Sequence, residues 1–250
     1  MDRKNSSRGL TSNQLKLIAI IAMTVDHLTW AFFPGFQRIW YVMVLHVIGR
    51  LTAPIMWFFV AEGAHYTHNA KKYIARLFVF AVISHFAYDF AFGIPFWGMA
   101  AGPFNRTSVM WSLALGAMAI VVCREESVPV WKKYAVIFIG CVLAFPSDWS
   151  TIAMMAPFFL YDHRGNFKRQ AVDLVIWTAV YAAVYILFLD KSYGLLQMFT
   201  CLSIPLLKQY RGERGRWRGM KWLFYIYYPA HLVVIGLIRV ALHGNIPIIF

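Results

Sequence analysis

Asp26 and His27 stand side by side in a stretch from Leu15 to Phe33 that is otherwise mainly apolar and aromatic. As a helix this stretch spans roughly 28 Å, close to the hydrocarbon thickness of a bilayer. An ionisable side chain at such depth costs about 2.5–3.5 kcal/mol on insertion scales, so two adjacent ones should face a polar interior. Because imidazole titrates near neutrality and serves as a general base, we predict that this pair is the centre of an active site.

The composition places the chain among membrane proteins. Its 250 residues are 60% hydrophobic and 14% charged, whereas soluble domains carry about 25% charged residues. Long apolar runs predict an all-α, polytopic transmembrane helix bundle embedded in membrane lipids. The net charge of +13 is compatible with nucleic-acid binding, but the basic residues gather in loops, so we predict no nucleic-acid partner. Three distant cysteines predict free thiols, with no disulfide framework and no metal site.

The apolar pattern predicts a basic cytoplasmic tail, residues 1–14, and a single transmembrane domain, residues 15–250, of about nine spans. The predicted spans are Leu15–Phe33, Ile48–Ala64 after a lead-in segment Ile39–Val47, Tyr73–Phe92, Thr107–Cys123, Tyr134–Pro146, Thr151–Tyr161, Ala171–Leu189, Tyr193–Leu207 and Trp222–Leu242. The fifth and sixth are short for a full crossing, which suits a thinned or hairpin-like arrangement.

Lys and Arg fix the predicted orientation. With the N-terminus inside, 19 of the 24 basic residues fall in segments on the inner side. The exceptions are Arg38, Arg50, Arg106, Lys191 and Arg239. This asymmetry follows the positive-inside rule and predicts a cytoplasmic N-terminus. An odd number of spans then places the C-terminus outside.

Polar residues of four predicted spans lie at mid-depth or just outside it, which predicts a polar cavity open to the outside. The candidate catalytic residues are His27, Asp26, Arg50, His231 and Asp89. Asp26 and His27 are about 100° apart on a helix, so at least one should find its partner on another span. We assign the general base to His27, with Asp26 supporting it or pairing with Arg50.

Other polar residues near the spans have simpler explanations. We interpret His46 and His85 as buried structural side chains. Glu62, His65 and His68, at spacings of three along one helix end, are more typical of a helix terminus than of a metal site. The positive-inside rule also explains Lys71, Lys72 and Arg76, although these cations could additionally bind the phosphates of a cofactor.

Three motifs carry a resemblance to a known family. The pattern L-K-x-I-A-x-x-x-M-x-x-D-H runs from Leu15 to His27, and I-G-R-x-x-x-P-x-x-x-F-x-x-x-E-G runs from Ile48 to Gly63. Near the C-terminus, Tyr228-Pro229-x-His231-Leu232 resembles a closing motif. In order and in coverage, the chain resembles the TraX family of membrane proteins.

The resemblance implies a transmembrane acetyltransferase that moves an acetyl group from cytoplasmic acetyl-coenzyme A to an acceptor outside the cytoplasm or held in the membrane, with the N-terminus of a conjugative pilin as one such acceptor. In this reaction Arg50 or His231 would stabilise the oxyanion or the thioester carbonyl. The motif positions carried over are Asp26, His27, Arg50, Pro54, Asp89, Asn105, Asp148 and His231. We therefore assign cofactor binding to Lys71, Lys72, Arg76, Asn105 and Asp148, and localisation to a bacterial inner membrane. Two alternatives stay open, namely O-acetylation of a cell-surface glycan or a lipid, and a transporter with a central polar site. A transporter would usually contain internal repeats, and the sequence contains none that we detect.

Overall fold

A computed structural model describes residues 9–96 and 106–248. All secondary-structure elements in this part of the chain are helices. They are α1 (Ser12–Phe32), α2 (Trp40–Gly49), α3 (Thr52–Tyr66), α4 (Ala70–Phe92), α5 (Val109–Arg124), α6 (Val130–Ala144), α7 (Ile152–Asp162), α8 (Phe167–Phe188), α9 (Lys191–Gln197), a 3-10 turn (Met198–Leu202), α10 (Ser203–Lys208) and α11 (Met220–His243). The predicted all-α class is confirmed for these residues.

The helices run back and forth between two ends of the bundle, which contacts between connecting segments define. The basic end consists of residues 9–12, 66–70, 125–129, 163–166 and 209–219; here the Leu10 N–H donates to the Gln209 carbonyl at 2.8 Å. The opposite end consists of residues 33–39, 93–96, 106–108, 145–151, 189–190 and 244–248; here the Ile248 N–H donates to the Phe92 carbonyl at 3.2 Å. The described chain makes nine passes between these ends.

Five of the nine passes are long and apolar enough to cross a membrane. They are Ser12–Phe32, Trp40–Tyr66, Ala70–Phe92, Phe167–Phe188 and Trp222–His243. The prediction of helices that can span a membrane is therefore confirmed for these five passes. The remaining passes, α5, α6, α7 and α9 to α10, are shorter than a typical span, so the predicted count of about nine spans is not confirmed. The predicted eighth span, Tyr193–Leu207, is not one continuous helix. Pro205 falls in the first turn of α10, where its missing N–H is tolerated after a break.

The first helix begins within the predicted tail. Thr11 caps α1, because its side chain accepts a hydrogen bond from the Gln14 N–H while the Gln14 side chain accepts from the Thr11 N–H. This reciprocal arrangement is a capping box. The Ser12 N–H also donates to the Glu213 carbonyl at 2.8 Å. The start of α1 is thus held against the segment that precedes α11.

A break between α2 and α3 determines the position of Arg50. The two helices form one apolar stretch, Trp40–Tyr66, with Arg50 and Leu51 between them. The Arg50 N–H still bonds back to the carbonyls of His46 and Val47, so the chain bends without losing its helical turn. The break falls two residues after the predicted start of the second span.

The orientation can be tested with two reporter fusions. We expect a reporter inserted between Arg211 and Arg218 to be active in the cytoplasm, because this basic segment follows the positive-inside rule. A reporter fused after Phe250 should be active only on the far side of the membrane, since an odd number of passes separates the two ends. Activity of both fusions in the cytoplasm would contradict this topology.

Candidate active site

Asp26 lies at the centre of a buried ion pair between α1 and α2. Its Oδ1 accepts hydrogen bonds from Arg50 Nη2 at 2.7 Å and from His46 Nδ1 at 2.8 Å. The side chains of Asp26 and Arg50 are only 14% and 8% exposed. A charge in such surroundings requires a partner and further hydrogen bonds. Of the two roles predicted for Asp26, this contact confirms the pairing with Arg50.

Glycine at position 49 permits this pairing. A Cβ added to Gly49 would overlap the Asp26 side chain, so any larger residue would push α2 away from α1. The glycine therefore allows the backbone of α2 to approach the carboxylate closely. It also brings His46, one helical turn earlier, onto the same carboxylate.

Arg50 is fixed by three groups from different parts of the bundle. Beside the bond to Asp26, Nη1 donates to Gln197 Oε1 at 3.0 Å and Nε donates to the His46 carbonyl at 3.2 Å. Gln197 is the last residue of α9, so the broken pass contributes directly to the site. A guanidinium has five N–H groups. Three are used by these contacts, and the other two have no partner among the described residues.

His27 pairs with His231 rather than with its neighbour Asp26. His27 Nδ1 lies 2.8 Å from His231 Nε2, and His231 Nδ1 lies 2.9 Å from the Tyr227 carbonyl. A carbonyl only accepts, so His231 carries its proton on Nδ1. Its Nε2 must then accept from His27 Nδ1–H. In the neutral state this leaves the lone pair of His27 on Nε2, the nitrogen that a general base requires.

Ring stacking holds the two imidazoles in this arrangement. His231 stacks between His27, with ring centroids 5.0 Å apart, and Tyr227, with centroids 5.2 Å apart. The Tyr227 hydroxyl is 2.7 Å from Thr24 Oγ1, which ties the stack back to α1. Both nitrogens of His231 are occupied, so it orients His27 and is not free to stabilise an oxyanion in this conformation.

A small central cavity of about 60 Å³ collects these groups. Its polar wall consists of Asp26, His27, Arg50, Asp148 and Tyr228. Its other lining residues are Met23, Gly49, Thr52, Ala53, Met56, Trp57, Val109, Met110, Leu113, Trp149 and Phe224. The His27 imidazole and the Arg50 guanidinium thus border the same space.

Asp148 enters the central cavity from the opposite end of the bundle. It precedes Trp149 and Ser150, which both have positive φ, at 60° and 47°. Such backbone conformations are uncommon for residues other than glycine and carry strain. The Asp148 N–H donates to the Thr107 carbonyl at 2.8 Å, which fixes the turn against the start of α5. The turn presents a carboxylate to the wall that holds Arg50.

A larger cavity, of about 470 Å³, lies at the basic end. This basic-end cavity is bordered by the cations Lys16, Arg76 and Arg214 and by Tyr210. Burial raises the pKa of Tyr210 to about 12, so its hydroxyl stays protonated at neutral pH. The two cavities share four lining residues, Met56, Met110, Leu113 and Phe224. An apolar partition is therefore all that separates them.

The predicted cofactor-binding residues do not all lie in the same cavity of the structure. Arg76 lines the basic-end cavity, with its guanidinium 5.2 Å from the Tyr225 ring centroid. Lys71 and Lys72 are exposed in the first turn of α4 and do not line that cavity. Asp148 lies in the central cavity, away from these cations, so its grouping with them is corrected. Asn105 lies outside the described residues.

Asp89 is not brought into the central cavity. It is buried in α4, with Oδ2 3.4 Å from Nδ1 of His85, and it is absent from the lining of both cavities. The two residues are four apart, so they lie one helical turn from each other on the same face of α4. Depth alone, however, does not determine which face of a helix is turned toward the site.

Sequence reasoning missed several contributors. His46, interpreted as structural, bonds directly to Asp26, and Gln197 was not singled out, although an amide within a predicted span was an available signal. Lys16 and Arg214 border the basic-end cavity but were counted only as loop charges. No group of three or more His, Cys, Asp or Glu residues suited to a metal occurs in the described part of the chain.

Comparisons with known proteins agree with the motifs. A family model described as TraX protein matches residues 11–239. A curated relative, named as a probable fimbrial assembly protein FimC of serogroup H1, from Dichelobacter nodosus, is 30% identical over 234 residues. The matched region covers 89% of this chain and 93% of the relative. No solved structure matches the chain. The family match covers nearly the whole chain, including both helices of the histidine pair, and the chain therefore belongs to the TraX family.

Proposed function

We propose that this protein is a membrane acetyltransferase of a bacterial inner membrane, with the basic end in the cytoplasm. It would move the acetyl group of acetyl-coenzyme A to an acceptor that reaches the central cavity from the opposite end. The observation that supports this most is the contact between two cavities of different character. The basic-end cavity suits a large anionic donor, and the central cavity carries a base and a cation.

We expect the donor to bind in the basic-end cavity because this is the larger cavity and cations line it. The phosphates of coenzyme A would lie near Lys16, Arg76 and Arg214, three of its lining residues. Charge-assisted hydrogen bonds to phosphate are among the stronger polar contacts in proteins. The thioester would pass the apolar partition between Met56 and Phe224 and place its carbonyl in the central cavity.

Transfer then needs a proton acceptor and an oxyanion partner. His27 Nε2 takes the proton of the acceptor amine or hydroxyl as its nitrogen or oxygen attacks the thioester carbon. The two N–H groups of Arg50 that have no partner among the described residues suit the developing oxyanion. The intermediate collapses by breaking its carbon–sulfur bond, the acetyl group stays on the acceptor, and coenzyme A leaves as the thiol after taking the proton from His27.

The fimbrial name of the relative favours a pilin subunit as acceptor. Its α-amino group would approach from the opposite end, where the Asp148 carboxylate lines the cavity. No described basic side chain forms an ion pair with Asp148. A carboxylate at this position would attract an ammonium group and orient it toward His27. Because an ammonium has no lone pair, it gives one proton to water at the opposite end before its nitrogen attacks, and His27 takes the second.

A matched pair of variants tests the donor site. We expect Arg76→Gln to raise the KM for acetyl-coenzyme A about 10- to 100-fold, because hydrogen bonds to charged groups contribute about 1.5–3 kcal/mol. Lys71→Gln removes a cation five residues earlier on the same helix, outside the cavity lining, and should leave the KM unchanged. Initial rates at varied donor concentration give both values. An equal rise in both variants would show that net charge, and not this cavity, binds the donor.

A further inference from the structure

The central cavity is far smaller than the basic-end cavity, at about 60 Å³ against about 470 Å³. For comparison, an engineered apolar cavity of about 150 Å³ binds benzene. The central cavity has less than half that volume, which suits a carbonyl with one methyl group. A longer acyl chain placed beside His27 would have to displace packed side chains.

Met23 belongs to the wall of this cavity and lies on the helix that carries His27. It lies one turn before His27 on the same face of α1, because the two residues are four apart. Met23 is 4% exposed and lines the central cavity but not the basic-end cavity. Its position lets it restrict the transferred group without contacting the rest of the donor.

The aromatic part of the wall has little freedom to retreat. Trp57 is fully buried and meets Trp149 edge-on, with ring centroids 5.3 Å apart. Trp149 in turn stacks on Tyr181 at 4.2 Å. Because close-packed interiors respond to even one added methylene, this wall would not expand without cost.

We propose that Met23 limits the transferred acyl group to acetyl, so that the central cavity acts as a filter for chain length. The inference rests on the proposed function and adds a specificity-determining residue to it. Each extra methylene that a rigid apolar pocket refuses changes kcat/KM by about 10- to 200-fold. The wild-type protein should therefore prefer acetyl- over propionyl- and butyryl-coenzyme A, with the preference growing at each step.

The test uses inverted membrane vesicles, with the donor added outside and a short peptide that has a free α-amino group trapped inside. Acylated peptide is measured by mass spectrometry for the acetyl, propionyl and butyryl donors. We expect Met23→Ala to raise the propionyl-to-acetyl ratio of kcat/KM at least about tenfold. Met23→Val removes less volume, should shift the ratio in the same direction, and serves where the alanine variant does not accumulate.

Met154→Ala is the matched control. Met154 is also fully buried but is absent from the lining of both cavities, so its truncation should leave the ratio unchanged. Equal use of butyryl and acetyl donors by the wild-type protein would overturn the filter, as would equal ratio shifts for Met23→Ala and Met154→Ala. These outcomes leave acyl transfer itself intact. Absence of acylated peptide with every donor would overturn the proposed function and the filter together.

Discussion

His27→Ala should reduce kcat for acetyl transfer by about 10²- to 10⁴-fold, the usual contribution of a positioned general base. The expectation follows from the hydrogen-bond chain in which Tyr227 and His231 leave the lone pair of His27 on Nε2. Alanine removes that nitrogen, and no other described histidine lines the central cavity. The binding of acetyl-coenzyme A should change little, because His27 does not line the basic-end cavity.

The matched control for this variant is His68→Ala. His68 is exposed at the basic end, and its loss should leave the transfer rate unchanged. His231→Ala should reduce kcat less than His27→Ala, because His231 positions the base without touching the acceptor. A His27→Ala protein that still transfers acetyl groups at a substantial rate would move the base elsewhere and contradict this mechanism.

Arg50→Ala should lower the free energy of unfolding by about 3–5 kcal/mol, the usual cost of leaving a buried charge without its partner. Asp26 would keep only His46 as a partner, and Gln197 would lose the guanidinium that its carbonyl oxygen accepts from. We expect a clear drop in the thermal unfolding midpoint of the detergent-solubilised protein. The double variant Asp26→Asn/Arg50→Gln should recover part of the loss, because it removes both buried charges.

Arg38→Ala is the control for Arg50→Ala, because Arg38 forms an ion pair of almost the same length at an exposed position. Arg38 Nη2 lies 2.8 Å from Asp190 Oδ2, almost the distance of the Arg50 contact, but its side chain is 67% exposed. Exposed ion pairs contribute only about 0–1 kcal/mol, so the unfolding midpoint should move little. Equal destabilisation by Arg38→Ala and Arg50→Ala would show that burial is not what makes the central pair important.

The free-energy cost of burying charged side chains explains which parts of the site could be predicted from the sequence. Asp26, His27 and Arg50 are expensive to bury in an apolar stretch, so residue type and depth predicted that they lie close together. The pairing of Asp26 with Arg50 was one of the two roles predicted for Asp26. His46 gave a weaker signal, because a single histidine in an apolar helix is often structural. Its role depends on the close approach at Gly49, which is a tertiary contact between two helices.

Other features depended on geometry that a linear pattern does not contain. Positive-inside bias placed Lys71, Lys72 and Arg76 at the same end, but only the helical face decides that Arg76 lines the basic-end cavity. Gln197 reaches Arg50 because its pass is broken into short helices, whereas the apolar pattern predicted one continuous span. The tautomer of His27 depends on the Tyr227 carbonyl, a backbone group that no residue pattern identifies.

The most direct test of the account is a sided transfer assay with the wild-type protein. Inverted membrane vesicles receive acetyl-coenzyme A with a radiolabelled acetyl group outside, and a pilin N-terminal peptide is trapped inside. The account predicts label on the trapped peptide, lost in His27→Ala, and no label when the donor is trapped inside and the peptide is outside. Failure of the wild-type protein to label the trapped peptide, or equal labelling by His27→Ala, would contradict it.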